Sequence, residues 1–228
     1  MNDRIVIIEI QFNTVKYSDN IYKPSWIDYR MDITMRFTAK SLSGQSRSDF
    51  KAFIYYLDET EPLIAASLAR HEPLPAHIEF VPFSKRKERM DAAVQGYSKA
   101  YVARIDSDNM FKKDYVERLY AHVPKPATQV LISQRGYLYD SNTNRLANVS
   151  YASPSFYTFI YDTEKFLSGY RYPLKTHHDA IRYKHELMAG RNFVVVVHQT
   201  NVMNKFTVGR KSDLIEAGKV QEILGDFM

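Results

Sequence analysis

Two aspartates one residue apart close the apolar run Tyr101-Val-Ala-Arg-Ile-Asp106-Ser-Asp108-Asn109. Carboxylate oxygens are the hard ligands that Mg²⁺ and Mn²⁺ prefer, and a cation held between them neutralises the charge of a diphosphate. Without a cation or an arginine nearby the two acids would repel each other. The chemistry open to the pair is the handling of a phosphorylated ligand. Its weight depends on the structural context that delivers it.

Other polar residues stand where apolar segments stop: Asn13, Asp58 and His198. In open α/β sheets, ligands bind outside the carboxyl ends of the strands, because loops and helix N-termini converge there. Each residue also has a plainer reading. Asn13 and Asp58 suit loop or helix caps, and His198 suits a hydrogen-bonded rim histidine.

The elements that would position these residues follow from hydrophobic period. Residues 4–12 are β-branched and continuous, which predicts a buried first strand. Residues 28–43 have helical character, with Gly44 as the stop. A second strand is expected over 50–57, a helix over 61–70 and a third strand over 77–83. Met90, Ala93, Val94 and Tyr97 fall at i, i+3, i+4 and i+7, which predicts a helix over 87–99. The strand 101–106 then leads to a helix over 112–122.

Strand alternating with helix argues for a parallel sheet wrapped by helices. After Pro124-Lys-Pro126 an antiparallel hairpin is expected over 130–150, turning at Asp140-Ser-Asn-Thr-Asn144. Residues 150–176 are crowded with Tyr and Phe. Helix is expected over 177–190, a buried strand over 193–197, and a terminal helix over 213–224 started by an Asp213/Glu216 capping box. There is no internal repeat.

Composition narrows the class. With 228 residues, 45% of them hydrophobic and 25% charged, the chain has the make-up of one ordered domain. The absence of cysteine excludes a disulfide framework, a thiolate metal site and a cysteine nucleophile. No apolar run reaches membrane-spanning length, and the opening segment is too short and interrupted for a signal peptide. The expectation is a soluble cytoplasmic protein without a transmembrane segment, or a fragment of a larger one. The net charge of +5 suits an anionic ligand such as a nucleotide diphosphate, and equally nucleic acid or an acidic membrane. Lys85-Arg86-Lys87-Glu88-Arg89 is the densest basic cluster, with a solvated helix start as its plainer reading.

An aspartate ending strand two, an Asp-x-Asp ending strand four and a histidine after a later apolar strand resemble the GT-A nucleotide-sugar glycosyltransferases. More narrowly, the chain resembles a family of small bacterial and viral rhamnosyltransferases. The matching stretches are Trp26, Arg36-Phe37, Ser41-Leu42-x-x-Gln45, Asp49-Phe50, Arg104-Ile-Asp-Ser-Asp108, His198-x-x-Asn201 and Lys205-Phe206. Many relatives carry a further acid after the Asp-x-Asp, where this chain has Asn109.

The resemblance implies a single GT-A (Rossmann-like) domain over 1–228, with a mainly parallel central sheet flanked by helices and a small antiparallel acceptor-side sheet. Residues 1–123 would form the nucleotide-sugar half, and 124–228 the acceptor half with the C-terminal helix. It implies a metal-dependent enzyme of polysaccharide biosynthesis. Such an enzyme moves a sugar, with a deoxyhexose such as rhamnose as the expected donor, from a UDP- or dTDP-sugar to a glycan or glycoprotein acceptor.

By the same resemblance Asp58 contacts the base, with Phe12 and Asn13 lining its pocket. Asp106 lies near the ribose and metal. Asp108 ligates Mn²⁺ or Mg²⁺, and His198 completes the coordination. Arg86 is a phosphate candidate. Arg104 shares a strand face with Asp106 by the period of two, so it could orient that carboxylate or meet phosphate. A general base for an inverting transfer would be Asp179, the one acid between Glu164 and Glu186, with helix N-capping as its alternative role.

Competing functions are separable. An aspartate-nucleophile hydrolase would carry its pair on an early strand. A nucleotidyltransferase would want a glycine-rich loop after strand one, where this chain has Gln11-Phe-Asn-Thr14. A non-catalytic, basic, aromatic-rich glycan- or nucleic-acid-binding module is the main alternative; the transferase reading expects no nucleic-acid partner.

Overall fold

The Ile- and Val-rich opening segment forms strand β1 (Asn2–Gln11). Such a run suits a strand covered on both faces, and Val6, Ile7, Ile8 and Ile10 are fully enclosed. The computed structural model describes residues 2–14, 19–199 and 205–228. β1 pairs in parallel with β2 (Lys51–Tyr56) on one side and with β4 (Tyr97–Asp106) on the other. The register sets Gln11 opposite both Tyr55 and Asp106, so the three strands end at one level. β3 (Ile78–Pro82) continues the parallel set beyond β2.

On the other flank of β4 lies β9 (Tyr157–Asp162), antiparallel to it, followed by β6 (Val130–Ile132) and β10 (His185–Leu187). The seven-stranded order is β10-β6-β9-β4-β1-β2-β3. The expected α/β architecture with a mainly parallel central sheet is therefore present, and strands from beyond residue 124 complete the sheet that β1–β4 begin.

A smaller sheet comprises β5 (Met110–Phe111), β11 (Phe193–Val197), β7 (Arg135–Asp140) and β8 (Arg145–Ser150). It is mixed rather than antiparallel, because β11 and β7 run parallel. The chain passes from the large sheet to the small one within residues 107–109, directly after the Asp-x-Asp strand.

Helices cover both faces of the large sheet. Val6, Ile8 and Ile10 pack with Ile27 and Met31 of α1 (Pro24–Thr34) and with Leu119 of α5 (Tyr115–Ala121). Ile5 and Ile7 pack on the opposite face with Met90 and Val94 of α4 (Arg86–Val94) and with Phe166 of α6 (Thr163–Leu167). On that second face the period of two turns polar near the strand ends: Glu9 and Gln11 on β1, Arg104 and Asp106 on β4.

Three expected elements differ. The helix expected over 87–99 ends at Val94, and Tyr97 opens β4 opposite Asn2. Gly96, at φ +83°, makes the left-handed turn between them, so the helical spacing of Tyr97 is coincidental. The helix expected over 177–190 is a short 3₁₀ helix of six residues (His177–Arg182) followed by β10. Pairing with β6, and the Gln129 and Val130 amides donating to the Lys184 carbonyl, override local propensity. The terminal helix is confined to α7 (Val220–Gly225). Leu214 bridges to Ala147 and the Ile215 amide donates to Leu146, which holds 214–215 extended against β8. The Asp213/Glu216 box is accordingly not formed; Asp213 Oδ2 accepts from the Arg210 amide at 3.1 Å instead.

The hairpin is shorter than expected. It pairs β7 with β8 through a turn ending at Asn144 (φ +52°), while β6 joins the large sheet. Phe111 lies in β5 and stacks on the Tyr115 ring at 3.9 Å. Among the described residues no helix is long and apolar enough to cross a membrane.

Candidate functional site

The 107–109 crossing is fixed by a polar stripe on the first helical segment. That segment runs from α1 through a π-helical turn (Met35–Ala39) into α2 (Lys40–Ser43). Thr34 Oγ1 donates to the Ser107 carbonyl at 2.8 Å and Thr38 Oγ1 to the Asn109 carbonyl at 2.8 Å. Ser41 and Gln45 hold the next stretch. Phe111 N donates to Ser41 Oγ, and Gln45 bonds the Lys112 carbonyl and the Val116 amide. Asn109 Oδ1 accepts from Val196 N at 3.0 Å, so its side chain ties the crossing to β11. An acid there would repel neighbouring carboxylates and lose the amide's donor to Asp106.

The structure separates the two aspartates. Asp106 faces the α4 side of the sheet, where Arg104 Nη2 donates to Oδ1 at 2.7 Å and Ser155 Oγ to Oδ2 at 3.1 Å. Asp108 turns toward α1. Arg30 Nη1 donates to its Oδ2 at 3.3 Å, and His198 Nε2 lies 3.3 Å from the same oxygen. Arg30 also reaches Ser107 Oγ at 2.7 Å and His198 Nε2 at 3.1 Å, and Tyr29 Oη approaches His198 Nδ1 at 3.3 Å. Burial works to raise the Asp108 carboxyl, but the His198 contact and the Arg30 guanidinium outweigh it and hold the group below the usual carboxylate range. Each acid thus has its own guanidinium.

This geometry bears on the metal expected from the family resemblance. Asp108 and His198 come together, whereas Asp106 is committed to Arg104, Ser155 and Asn109 on the other side of the strand tip. Among the described residues no three His, Asp or Glu side chains gather as a metal site. As folded, the expected Asp106/Asp108/His198 donor set does not fit a resident divalent ion.

The remaining expected residues fall in two groups. Arg86, on α4, makes a bidentate pair with Glu9 at 2.8 and 3.1 Å. Both line a cavity of about 250 Å³ with Tyr55, Arg104, Asp106 and Arg171. Arg104 Nη1 is buried there without a hydrogen-bond partner. Arg171 donates to the Phe166 and Tyr170 carbonyls, and burial lowers its pKa. A shallower groove of about 500 Å³ beside β10 carries none of the strand-end carboxylates.

The second group is engaged structurally. Asn13 is buried, donates to Thr60 Oγ1 at 3.1 Å and accepts from Leu57 N at 2.9 Å, joining the ends of β1 and β2. Phe12 packs edge-on against Trp26 and Phe80. Asp58 accepts from the Ser84 amide at 3.0 Å and from its hydroxyl, which lowers its pKa. Asp58 thereby pins the turn leading into α4.

Asp179 takes its capping role. Its Oδ2 accepts from the Lys175 and Thr176 amides, both at 2.9 Å, and its Oδ1 pairs with Arg182. Asp179→Ala is expected to lower the melting temperature by a few degrees through loss of the cap. A melting temperature unchanged by the substitution would mean that these capping bonds carry no stability.

Arg30, Tyr29, Glu9, Ser155 and Arg171 were not anticipated from the sequence. For Arg30 a signal existed. Arg30, Thr34 and Thr38 recur at four-residue spacing on a helix whose other inward positions are apolar, and Thr34 and Thr38 are fully buried. Asn201, in the His198-x-x-Asn201 match, lies outside the described residues.

No protein-family profile and no curated protein matches the chain in sequence. Among solved structures, TarS 1–349 of S. aureus in complex with UDP-GlcNAc is similar over 87% of this chain, at 14% identity and a TM-score of 0.48. This chain spans 60% of that fragment. The 4-diphosphocytidyl-2C-methyl-D-erythritol synthase of Anaerococcus prevotii is similar over 97% of this chain and 96% of its own, at 10% identity and a TM-score of 0.42. A cytidylyltransferase of Leptospira borgpetersenii is similar over 84% and 78%, at 9% identity and a TM-score of 0.40. These likenesses are distant.

Proposed function

We propose that the strand-end site binds a nucleoside-diphosphate sugar and transfers the sugar to an acceptor hydroxyl. The observation that carries the reading is the level ending of β1, β2 and β4, with two carboxylates delivered there and a guanidinium against each. Such strand ends are where open α/β sheets bind ligands. Asp106 keeps 41% of its side chain exposed, so beyond its bonds to Arg104, Ser155 and Asn109 it has an acceptor position left for a ribose hydroxyl. Arg104, with an unpartnered Nη1, and Arg86 beside it supply positive charge for the diphosphate.

In the transfer, the bond from the anomeric carbon to the diphosphate oxygen breaks and its electron pair leaves with the nucleoside diphosphate. The acceptor oxygen bonds to that carbon and passes its proton to solvent water. Arginines already oriented at the leaving group stabilise the charge that develops on it. The choice of a UDP- or dTDP-linked deoxyhexose such as rhamnose, and of a glycan or glycoprotein acceptor, rests on the sequence resemblance alone.

Calorimetric titration with UDP, dTDP and GDP tests the reading. One of the three is expected to bind, and Asp106→Asn to weaken it at least tenfold. Tight, steeply salt-dependent oligonucleotide binding with no nucleoside diphosphate binding would favour the non-catalytic module instead.

A further inference from the structure

A divalent ion at Asp108 Oδ2 and His198 Nε2 would sit about 2.1 Å from each. Arg30 Nη1 already lies 3.3 and 3.1 Å from those two atoms. An ion there would overlap the guanidinium or be repelled by it. The third expected donor, Asp106, is turned onto Arg104.

Arg30 is not a loose surface group. Its side chain is 13% exposed, that of Asp108 12% and that of His198 1%. Its two terminal nitrogens reach three partners at once, a fork that an ammonium group does not reproduce. The Thr34 bond to the Ser107 carbonyl keeps α1 and the crossing in register, so the guanidinium is positioned from both sides.

We propose that Arg30 is the built-in cation of the Asp108–His198 centre, standing where a divalent metal would stand, so that the Asp108 carboxylate has its counter-charge without metal. On the transferase reading above, from which this second part follows, the donor's diphosphate meets the guanidinium rather than a metal ion.

The test uses the full chain and two titrations. In the first, Mn²⁺ binding is followed by electron paramagnetic resonance without nucleotide. Wild type is expected to bind Mn²⁺ no more tightly than Asp108→Asn. Arg30→Gln should gain at least tenfold in affinity, and the gain should vanish in Arg30→Gln/Asp108→Asn. Micromolar Mn²⁺ binding by wild type that Asp108→Asn abolishes would overturn the proposal, and this comparison needs no Arg30 variant to fold.

In the second, UDP, dTDP and GDP are titrated in EDTA and in Mn²⁺. Wild type should bind its nucleotide equally in both. Arg30→Gln should lose at least tenfold in EDTA, with Arg30→Lys recovering only part. Binding that requires Mn²⁺ in wild type would overturn the proposal. The expected Mn²⁺ result with no nucleotide binding under either condition would uphold Arg30 as the centre's cation and defeat the transferase reading.

Discussion

Asp106→Ala is expected to cut donor turnover by about 10² to 10³-fold while leaving the fold intact. Asp106 ends β4 level with the end of β1, and its oxygens gather Arg104, Ser155 and Asn109. Removing it loses the carboxylate proposed to accept from the ribose. It also frees a guanidinium whose Nη1 already lacks a partner, so the arginine is no longer held for the diphosphate. Loss of one preoriented charged contact is worth about 3–4 kcal/mol of barrier. The stability cost is small, because the side chain is 41% exposed and its ion pair is partly solvated. Donor hydrolysis kinetics beside a thermal melt check this. Turnover within threefold of wild type at unchanged melting temperature would remove Asp106 from the site.

Gly136→Ala is expected to destabilise the protein by about 3 kcal/mol, the upper end of the usual cost of overpacking. A β-carbon at Gly136 would fall on the edge of the Phe193 ring and 2.5 Å from its carbonyl oxygen. Neither can yield easily. Phe193 is fully buried, stacks on Phe156 at 3.8 Å, and continues through Phe111 to Tyr115. Its backbone is paired with Phe111 in the small sheet. Displacing Phe193 therefore disturbs β11, the strand that delivers His198, and β5, which follows the Asp-x-Asp crossing. Urea unfolding measures the loss. A midpoint unchanged within error would mean that β7 and β11 can separate without cost.

The strand ends were legible because each buried strand is a local apolar run that stops at a polar residue. Ile5–Ile10 stops before Asn13, Tyr101–Ile105 at Asp106, and Phe193–Val197 at His198. The pairing of Arg104 with Asp106 was legible for the same reason, since a period of two places them on one face. Tyr97 misled because one residue in a helical register cannot reveal a left-handed glycine beside it. Residues 177–190 and 214–215 misled because their conformation is set by pairing with β6 and β8, which local propensity does not encode.

The contacts around Asp108 were the least legible. Arg30 meets residues 78 and 168 positions away, and such contacts leave no local trace beyond the stripe shared with Thr34 and Thr38. The resemblance to metal-dependent transferases singled out Asp108 and His198 as metal ligands, and the two lie side by side. It could not reveal that an arginine from the first helix stands against both.

The most direct measurement is a donor-panel hydrolysis assay across UDP-, dTDP- and GDP-sugars, with EDTA and with Mn²⁺ in parallel. Slow release of one nucleoside diphosphate, abolished in Asp106→Ala and proceeding in EDTA, is the predicted result. No turnover and no binding across the whole panel would contradict the assignment of the strand-end site to nucleotide-sugar transfer.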